Sequence, residues 1–93
     1  MTKAEIKKLI VDSDYKNKDV VIWWKWGSDE AGSYSATSVA IYSKYSDEWL
    51  VDNSTHRFNL DYLVTTIWRY YDNLGRETEK ELFKVKVLEV GDD

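Results

Sequence analysis

The sequence predicts a single α+β domain over residues 1–93, a two-layer sandwich with an antiparallel sheet and elements in the order α-β-β-β-α-β. Apolar residues recur at helical spacing in two segments, and four other segments have the β-branched and aromatic content or the alternation of strands. The chain of 93 residues is long enough for one domain and too short for two. Aromatic residues make up 15% of it, so a few large side chains can build much of a small core.

The first helix is predicted from its N-terminal signature. Thr2 and Glu5 have the spacing of a capping box, in which each side chain accepts a hydrogen bond from the other residue's backbone amide. An apolar face follows at helical spacing, formed by Ile6, Leu9 and Ile10. The polar run at residues 12–14 ends the pattern, so this helix is expected to be short.

Three central segments, residues 19–26, 35–42 and 48–52, have the composition and alternation of strands in an antiparallel meander. The side chains expected to point into the core from the first are Val20, Ile22, Trp24 and Trp26. In the second, one face carries Thr37, Val39 and Ile41, and the other carries Ser38, Ala40 and Tyr42. In the third, Trp49 and Val51 point inward.

A second helix is the clearest element. Asn59 is its expected N-cap, and Phe58 and Leu63 are placed to form a hydrophobic staple around that cap. A continuous apolar stripe follows, made of Leu60, Leu63, Val64, Ile67, Tyr71 and Leu74. Gly75 stands where a left-handed residue would end the helix.

The C-terminal part is predicted less uniformly. Residues 76–81 are highly charged and fit either a short helical turn or a solvated linker. Residues 82–90 follow as a fourth strand, in which the alternation slips at Val87 and Leu88, so we expect a bulge or a strand end there.

Composition and charge limit the possible functions. The chain has no cysteine, which excludes disulfides and thiolate metal sites, and with no signal peptide or apolar span in the sequence we expect a cytoplasmic protein with no membrane partner. The net charge of −4 disfavours direct nucleic-acid binding, which depends on lysine and arginine contacts to phosphate. Acidic residues are in excess in the middle and at the C-terminal end.

The sequence carries no recognisable catalytic apparatus. His56 is the only histidine, and no cysteine or second histidine accompanies it as a metal ligand. No serine lies in a nucleophile elbow, and there is no glycine-rich phosphate loop or dinucleotide fingerprint. We therefore predict no enzyme activity, no cofactor and no metal.

The tryptophan-rich first strand is the most unusual local feature. Trp23 points away from the predicted core, and its expected neighbours on that half-exposed face are Ala40, Tyr42 and Leu50. Tryptophan and tyrosine dominate binding hot spots, so Trp23 and Tyr42 are candidate partner-binding residues. The alternative is a tolerated exposed patch.

The acidic residues suggest a second interaction surface. Pairs of acids fall on the two predicted turns, and three more follow the second helix: Asp29, Glu30, Asp47, Glu48, Glu77, Glu79 and Glu81. Ordinary solubility explains such residues. The functional alternative is a negative surface that imitates a nucleic-acid backbone and occupies a basic groove on a partner.

The layout resembles a small phage anti-CRISPR family that inhibits the RNA-guided nuclease of type II CRISPR systems. The resemblance rests on the short first helix, the Lys18-Asp19 entry to the first strand, and the paired strands around residues 39–42 and 48–51. It implies a fold of this kind and acidic side chains that mimic DNA to block recognition of the short duplex motif beside the nuclease's target. The matching acids would be Asp19, Glu48, Glu77 and Glu79.

The leading hypothesis is therefore a non-catalytic protein-interaction module, in its most specific form a phage or mobile-element inhibitor that binds a basic nucleic-acid enzyme. A second hypothesis is an intracellular domain that binds a protein through an aromatic sheet face. A third is a nucleic-acid-binding αβββα module, although the second helix carries only Arg69 as a cation. A fourth is a small enzyme or small-ligand protein with a pocket between the sheet and Trp68, Tyr70 or Tyr71.

Overall fold

A computed structural model describes residues 1–26, 36–52 and 54–90. The elements are α1 (Lys3–Asp12), β1 (Val20–Trp26), β2 (Ala36–Ser43), β3 (Glu48–Val51), β4 (Arg57–Phe58), α2 (Leu60–Asp72), α3 (Glu77–Leu82) and β5 (Lys84–Glu89). The predicted α+β class is confirmed. The predicted order lacks the two-residue strand β4. Of the two alternatives for residues 76–81, the short helical turn is confirmed, since this segment forms α3.

The five strands form one sheet in the order β4-β3-β2-β1-β5, and every neighbouring pair is antiparallel. The chain runs outward from β1 through β2 and β3 to β4. It then crosses one face of the sheet through α2 and α3 and adds β5 on the other side of β1.

The core lies between one face of the sheet and the helices α1 and α2. The fully buried large side chains come from both layers: Trp24, Trp49, Ile6, Ile10, Ile22, Leu63 and Ile67. The inward positions predicted for Val20, Ile22, Trp24, Trp49 and Val51 are confirmed. The side chain of Trp26 lies outside the described residues.

The predicted caps are present. The Glu5 amide donates to Thr2 Oγ1 at 3.1 Å and the Thr2 amide donates to Glu5 Oε1 at 3.0 Å, which completes the capping box. At α2 the Tyr62 amide donates to Asn59 Oδ1 at 2.8 Å.

The predicted left-handed stop at Gly75 is wrong, since α2 ends at Asp72 and Gly75 has no positive φ. The C-cap Asn73 stays in the right-handed region, and its amide and that of Leu74 bond to the last carbonyls, so no left-handed residue is needed.

The expectation that Ala40 and Tyr42 share the half-exposed face with Trp23 is also wrong. The register pairs Trp23 with Val39, Val21 with Ile41 and Ile22 with Ala40. Directly paired residues point to the same side of a sheet. Ala40 is therefore a core residue with no exposure, Tyr42 lies on the core side, and Val39 and Ile41 share the other face with Trp23.

The expected irregularity in the last strand is absent. The pairing of β5 with β1 runs without a break from Lys84 opposite Lys25 to Glu89 opposite Val20. Val87 and Leu88 therefore keep regular alternation. Leu88 is apolar on the outer face, and this made the alternation in the sequence look interrupted.

Candidate interaction surface

The sheet face opposite the helices carries a row of aliphatic side chains that crosses four strands. The register places Leu88, Val21, Ile41 and Leu50 side by side from β5 to β3. Leu88 is 47% exposed, Ile41 51% and Leu50 44%. With strands about 4.8 Å apart, this row is about 14 Å long.

A second row lies beside the first on the same face. Trp23 is half-buried between Val39 on β2 and Lys86 on β5, its directly paired neighbours. The Lys86 ammonium lies over the Trp23 ring, 5.4 Å from its centroid. We call the combined surface the apolar strip, and its members are Val21, Trp23, Val39, Ile41, Leu50 and Leu88.

The composition of the apolar strip is unusual for a solvent-facing side of an antiparallel sheet. Such a face normally carries polar residues that alternate with the apolar residues of the core. Here four outward positions of β1 and β2 carry Val21, Trp23, Val39 and Ile41, and polar residues are confined to the ends of the two strands. Contiguous exposed apolar surface of this kind marks a binding site on many soluble proteins.

The two ends of the apolar strip differ in charge. At the β5 end, Lys84 and Lys86 are exposed on the same face as Leu88. At the β4 end, Arg57 is 3.8 Å from the carboxylate of Glu48, so these two charges compensate each other. The margin formed by Lys84 and Lys86 is therefore positive on a chain whose net charge is −4.

Two of the predicted acids, Asp19 and Asp47, lie at one end of the sheet, close to lysines. Asp19 precedes β1 and its carboxylate is 3.4 Å from the ammonium of Lys44. Asp47 lies in the β2–β3 turn, 4.0 Å from the ammonium of Lys16. Glu48 follows it and pairs with Arg57 on the open face.

The acids of α3 lie at the other end of the sheet. Glu77 is exposed and Glu79 is 3.9 Å from Arg76. This helix leads into Lys84, which pairs with Lys25 near the end of β1, whereas Asp19 precedes its start. The seven residues of β1 make that separation about 20 Å. The structure does not bring the four acids of the resemblance into one patch, and Asp29 and Glu30 lie outside the described residues.

Tyr42 is not part of the apolar strip. Its ring contacts those of Tyr15 and Trp49, with centroid distances of 4.7 and 5.2 Å. Its hydroxyl donates a hydrogen bond to Asp47 Oδ1, and this bond raises the pKa of Tyr42 to about 12. Of the two predicted partner-binding aromatics, Trp23 thus lies on the open face, whereas Tyr42 packs against the edge of the core.

His56 is an exposed residue in the segment before α2. Within residues 1–26, 36–52 and 54–90, no three acidic or histidine side chains come together as a metal site.

Sequence reasoning placed Trp23 and Leu50 on the half-exposed face but missed Val39, Ile41 and Leu88. The alternation of β1 already placed Val21 beside Trp23, but the contributions of Ile41 and Val39 depended on the face of β2. Leu88 became a neighbour of Val21 through the return of the chain to the far side of β1, which no local pattern announces.

No helix in the described part of the chain has the length and apolarity required to cross a bilayer. Comparisons with protein-family models, with curated proteins and with solved structures found no match to this chain.

Proposed function

We propose that this chain is a non-catalytic interaction module that binds a protein partner through the apolar strip. The observation that supports the proposal most is the unbroken row from Leu88 to Leu50, which lies on the face that the helices leave open. A half-buried tryptophan beside aliphatic side chains is a typical centre of a protein interface.

The partner in this proposal has an apolar patch with acidic side chains at one margin. Lys84 and Lys86 stand beside Leu88 and Trp23, so carboxylates at that margin would meet opposite charge. Complementary charge speeds association and selects the orientation of the bound protein. We place the interaction in the cytoplasm, because a chain without cysteine needs no oxidising compartment to fold.

The acidic DNA-mimic hypothesis has weaker geometric support and stays a prediction. Its acids lie at two ends of the sheet, and Asp19, Asp47, Glu48 and Glu79 each have a cation within 4.0 Å. A mimic of a phosphate backbone would gain from acids in one row without local compensation.

The test compares the proteins that two variants capture from a cell lysate. Both variants replace exposed aliphatic residues with threonine, but on different surfaces. In the strip variant, Ile41→Thr and Leu50→Thr remove apolar surface from the open face while β-branched residues stay in the strands. In the control variant, Val11→Thr removes apolar surface from α1, where Val11 is 50% exposed. Circular dichroism checks that both variants fold.

The proposal predicts at least one protein that the wild type and the control variant retain and the strip variant loses. If every captured protein binds all three forms equally, the apolar strip is not the binding surface.

A further inference from the structure

Among the described residues, β5 is an edge strand of the sheet. The sheet order ends at β5, and within the described part of the chain β1 is the strand that pairs with it. The six residues Lys84–Glu89 keep regular pairing throughout, so the opposite side of the strand presents backbone groups in a straight row. An edge of this length can accept a further strand.

An apolar cleft lies beside Val85 on the core-facing side of this edge. It lies between α1 and β5, has a volume of about 220 Å³, and is lined by Met1, Glu5, Ile6, Leu9 and Val85. Met1 is 41% exposed and Leu9 40% exposed, so the wall of the cleft on α1 is open to solvent. An added strand would direct every second side chain toward this cleft.

On the face of the sheet that points away from the helices, this edge is positively charged. Lys84 and Lys86 point to the open face of the sheet, beside Leu88 of the apolar strip. The remaining side chains of an added strand would lie next to these lysines, and cross-strand pairs of opposite charge stabilise a sheet. An edge of this kind selects acidic residues at alternate positions.

We propose that β5 binds an extended segment of a partner protein as a sixth strand, with apolar side chains in the cleft between α1 and β5 and acidic side chains beside Lys84 and Lys86. Main-chain hydrogen bonds supply affinity in this mode of recognition, and the alternate side chains supply specificity. The inference rests on the proposed function, because Leu88 and Lys86 border both surfaces, and it adds the conformation and the sequence pattern of the partner.

A second copy of this chain is a poor occupant of the same edge. Its own β5 would bring Lys84 and Lys86 to the same face as the first pair. Like charges on neighbouring strands destabilise a sheet. The lysines therefore disfavour self-association and favour an acidic strand.

The probe for this proposal is a short synthetic peptide in which glutamate and valine alternate, compared with a lysine–valine peptide of the same length. Nuclear magnetic resonance follows the backbone amides of the full chain during each titration. The glutamate–valine peptide is expected to shift the amide signals of residues 84–89 and to slow their exchange with solvent. The lysine–valine peptide is expected to leave them unchanged.

Backbone methylation of the peptide separates strand addition from general electrostatic binding. In an added strand, one alternate set of amides bonds to β5 and the other set faces solvent. N-methylation of one set should abolish binding, and N-methylation of the other set should leave it intact. Equal binding by both methylated peptides would overturn the proposal.

Three variants test the two sides of the edge. Leu9→Thr is expected to weaken binding of the glutamate–valine peptide about tenfold, a loss typical for removal of one anchoring side chain, whereas Val11→Thr on the same helix should have no effect. The double reversal Lys84→Glu and Lys86→Glu is expected to exchange the preference between the two peptides. An unchanged preference would contradict the charge argument.

The strip variant distinguishes this inference from the proposed function. Ile41→Thr and Leu50→Thr leave β5 and the cleft intact, so this variant should still bind the peptide. If no peptide binds β5 while a captured protein still depends on the apolar strip, strand addition fails alone. If the peptide binds and no captured protein depends on the strip, the proposed function fails alone.

Discussion

Tyr42 joins the aromatic rim of the core to a constrained turn. Asp47, which accepts a hydrogen bond from the Tyr42 hydroxyl, has a φ of 54° in the left-handed region that aspartate tolerates better than most residues. The same carboxylate lies 4.0 Å from the ammonium of Lys16. This acid, predicted from the sequence as a partner-binding residue, has local structural contacts that the sequence did not reveal, because they depend on the three-dimensional position of Lys16 and Tyr42.

The hydrogen bond between Tyr42 and Asp47 predicts a pH dependence of stability. Because the pKa of Tyr42 is raised from 10.0 to about 12, the folded state holds this proton more tightly than the unfolded state. The resulting stability is complete below about pH 10 and is lost as the pH rises toward about 12. The free energy of unfolding of the wild type should therefore approach that of Tyr42→Phe over this range. Two curves that stay parallel in denaturant titrations would contradict this assignment.

Gly75 offers a test of the end of α2. Its φ is not positive, and a Cβ built there meets nothing within 4 Å, so Gly75→Ala can adopt the native backbone without strain. Alanine reduces the conformational freedom of the unfolded chain, and we expect a gain of about 0.4–1 kcal/mol in the free energy of unfolding. Thermal and denaturant unfolding measure it. A loss of stability would indicate the left-handed cap that the sequence pattern suggested.

At the scale of elements, the helices could be predicted better than the faces of the strands. Both caps were readable because their residues are three positions apart along the chain. The strand β2 could not be oriented in the same way, since both of its faces carry apolar residues and Val39 and Ile41 are the more hydrophobic pair. Tertiary packing decided the face, because Tyr42 on the core side contacts Tyr15 and Trp49.

The register of β2 predicts opposite tolerances for neighbouring residues. Ala40 has no exposure, so Ala40→Ile should overpack the core and destabilise the protein by about 1–3 kcal/mol. Ile41 is half exposed, so Ile41→Thr should change the free energy of unfolding by less than about 0.5 kcal/mol. Chemical denaturation compares the two. The reverse order of effects would mean that β2 presents its other face to the helices.

At the scale of the whole molecule, the two faces of the sheet are unequal. One face is sealed by α1 and α2 over the buried rings of Trp24 and Trp49. The other presents the apolar strip, with a positive margin at β5 and a compensated pair at β4. The α+β class and a partly exposed sheet face followed from the sequence, but the charges at the two margins of that face did not, because they depend on the order in which β5 and β4 join the sheet.

At this scale, several exposed acids also have a cation beside them. Asp19 and Asp47 at one end of the sheet and Glu79 at the other each lie within 4.0 Å of a lysine or arginine, and surface pairs of this kind contribute little to stability. The adjacent cations weaken the attraction of these acids for a basic partner. The apolar strip does not depend on charge for its contribution to binding. The open face is therefore the surface on which we expect binding to depend.

The most direct test of this account compares the strip variant with an acid variant in binding to the protein that the wild type captures. The acid variant carries Asp19→Asn, Asp47→Asn, Glu77→Gln and Glu79→Gln. Glu48 is left unchanged because it borders the apolar strip through Arg57. We predict that the acid variant retains the partner and the strip variant loses it. Retention by the strip variant together with loss by the acid variant would contradict this account and support an acidic mimic.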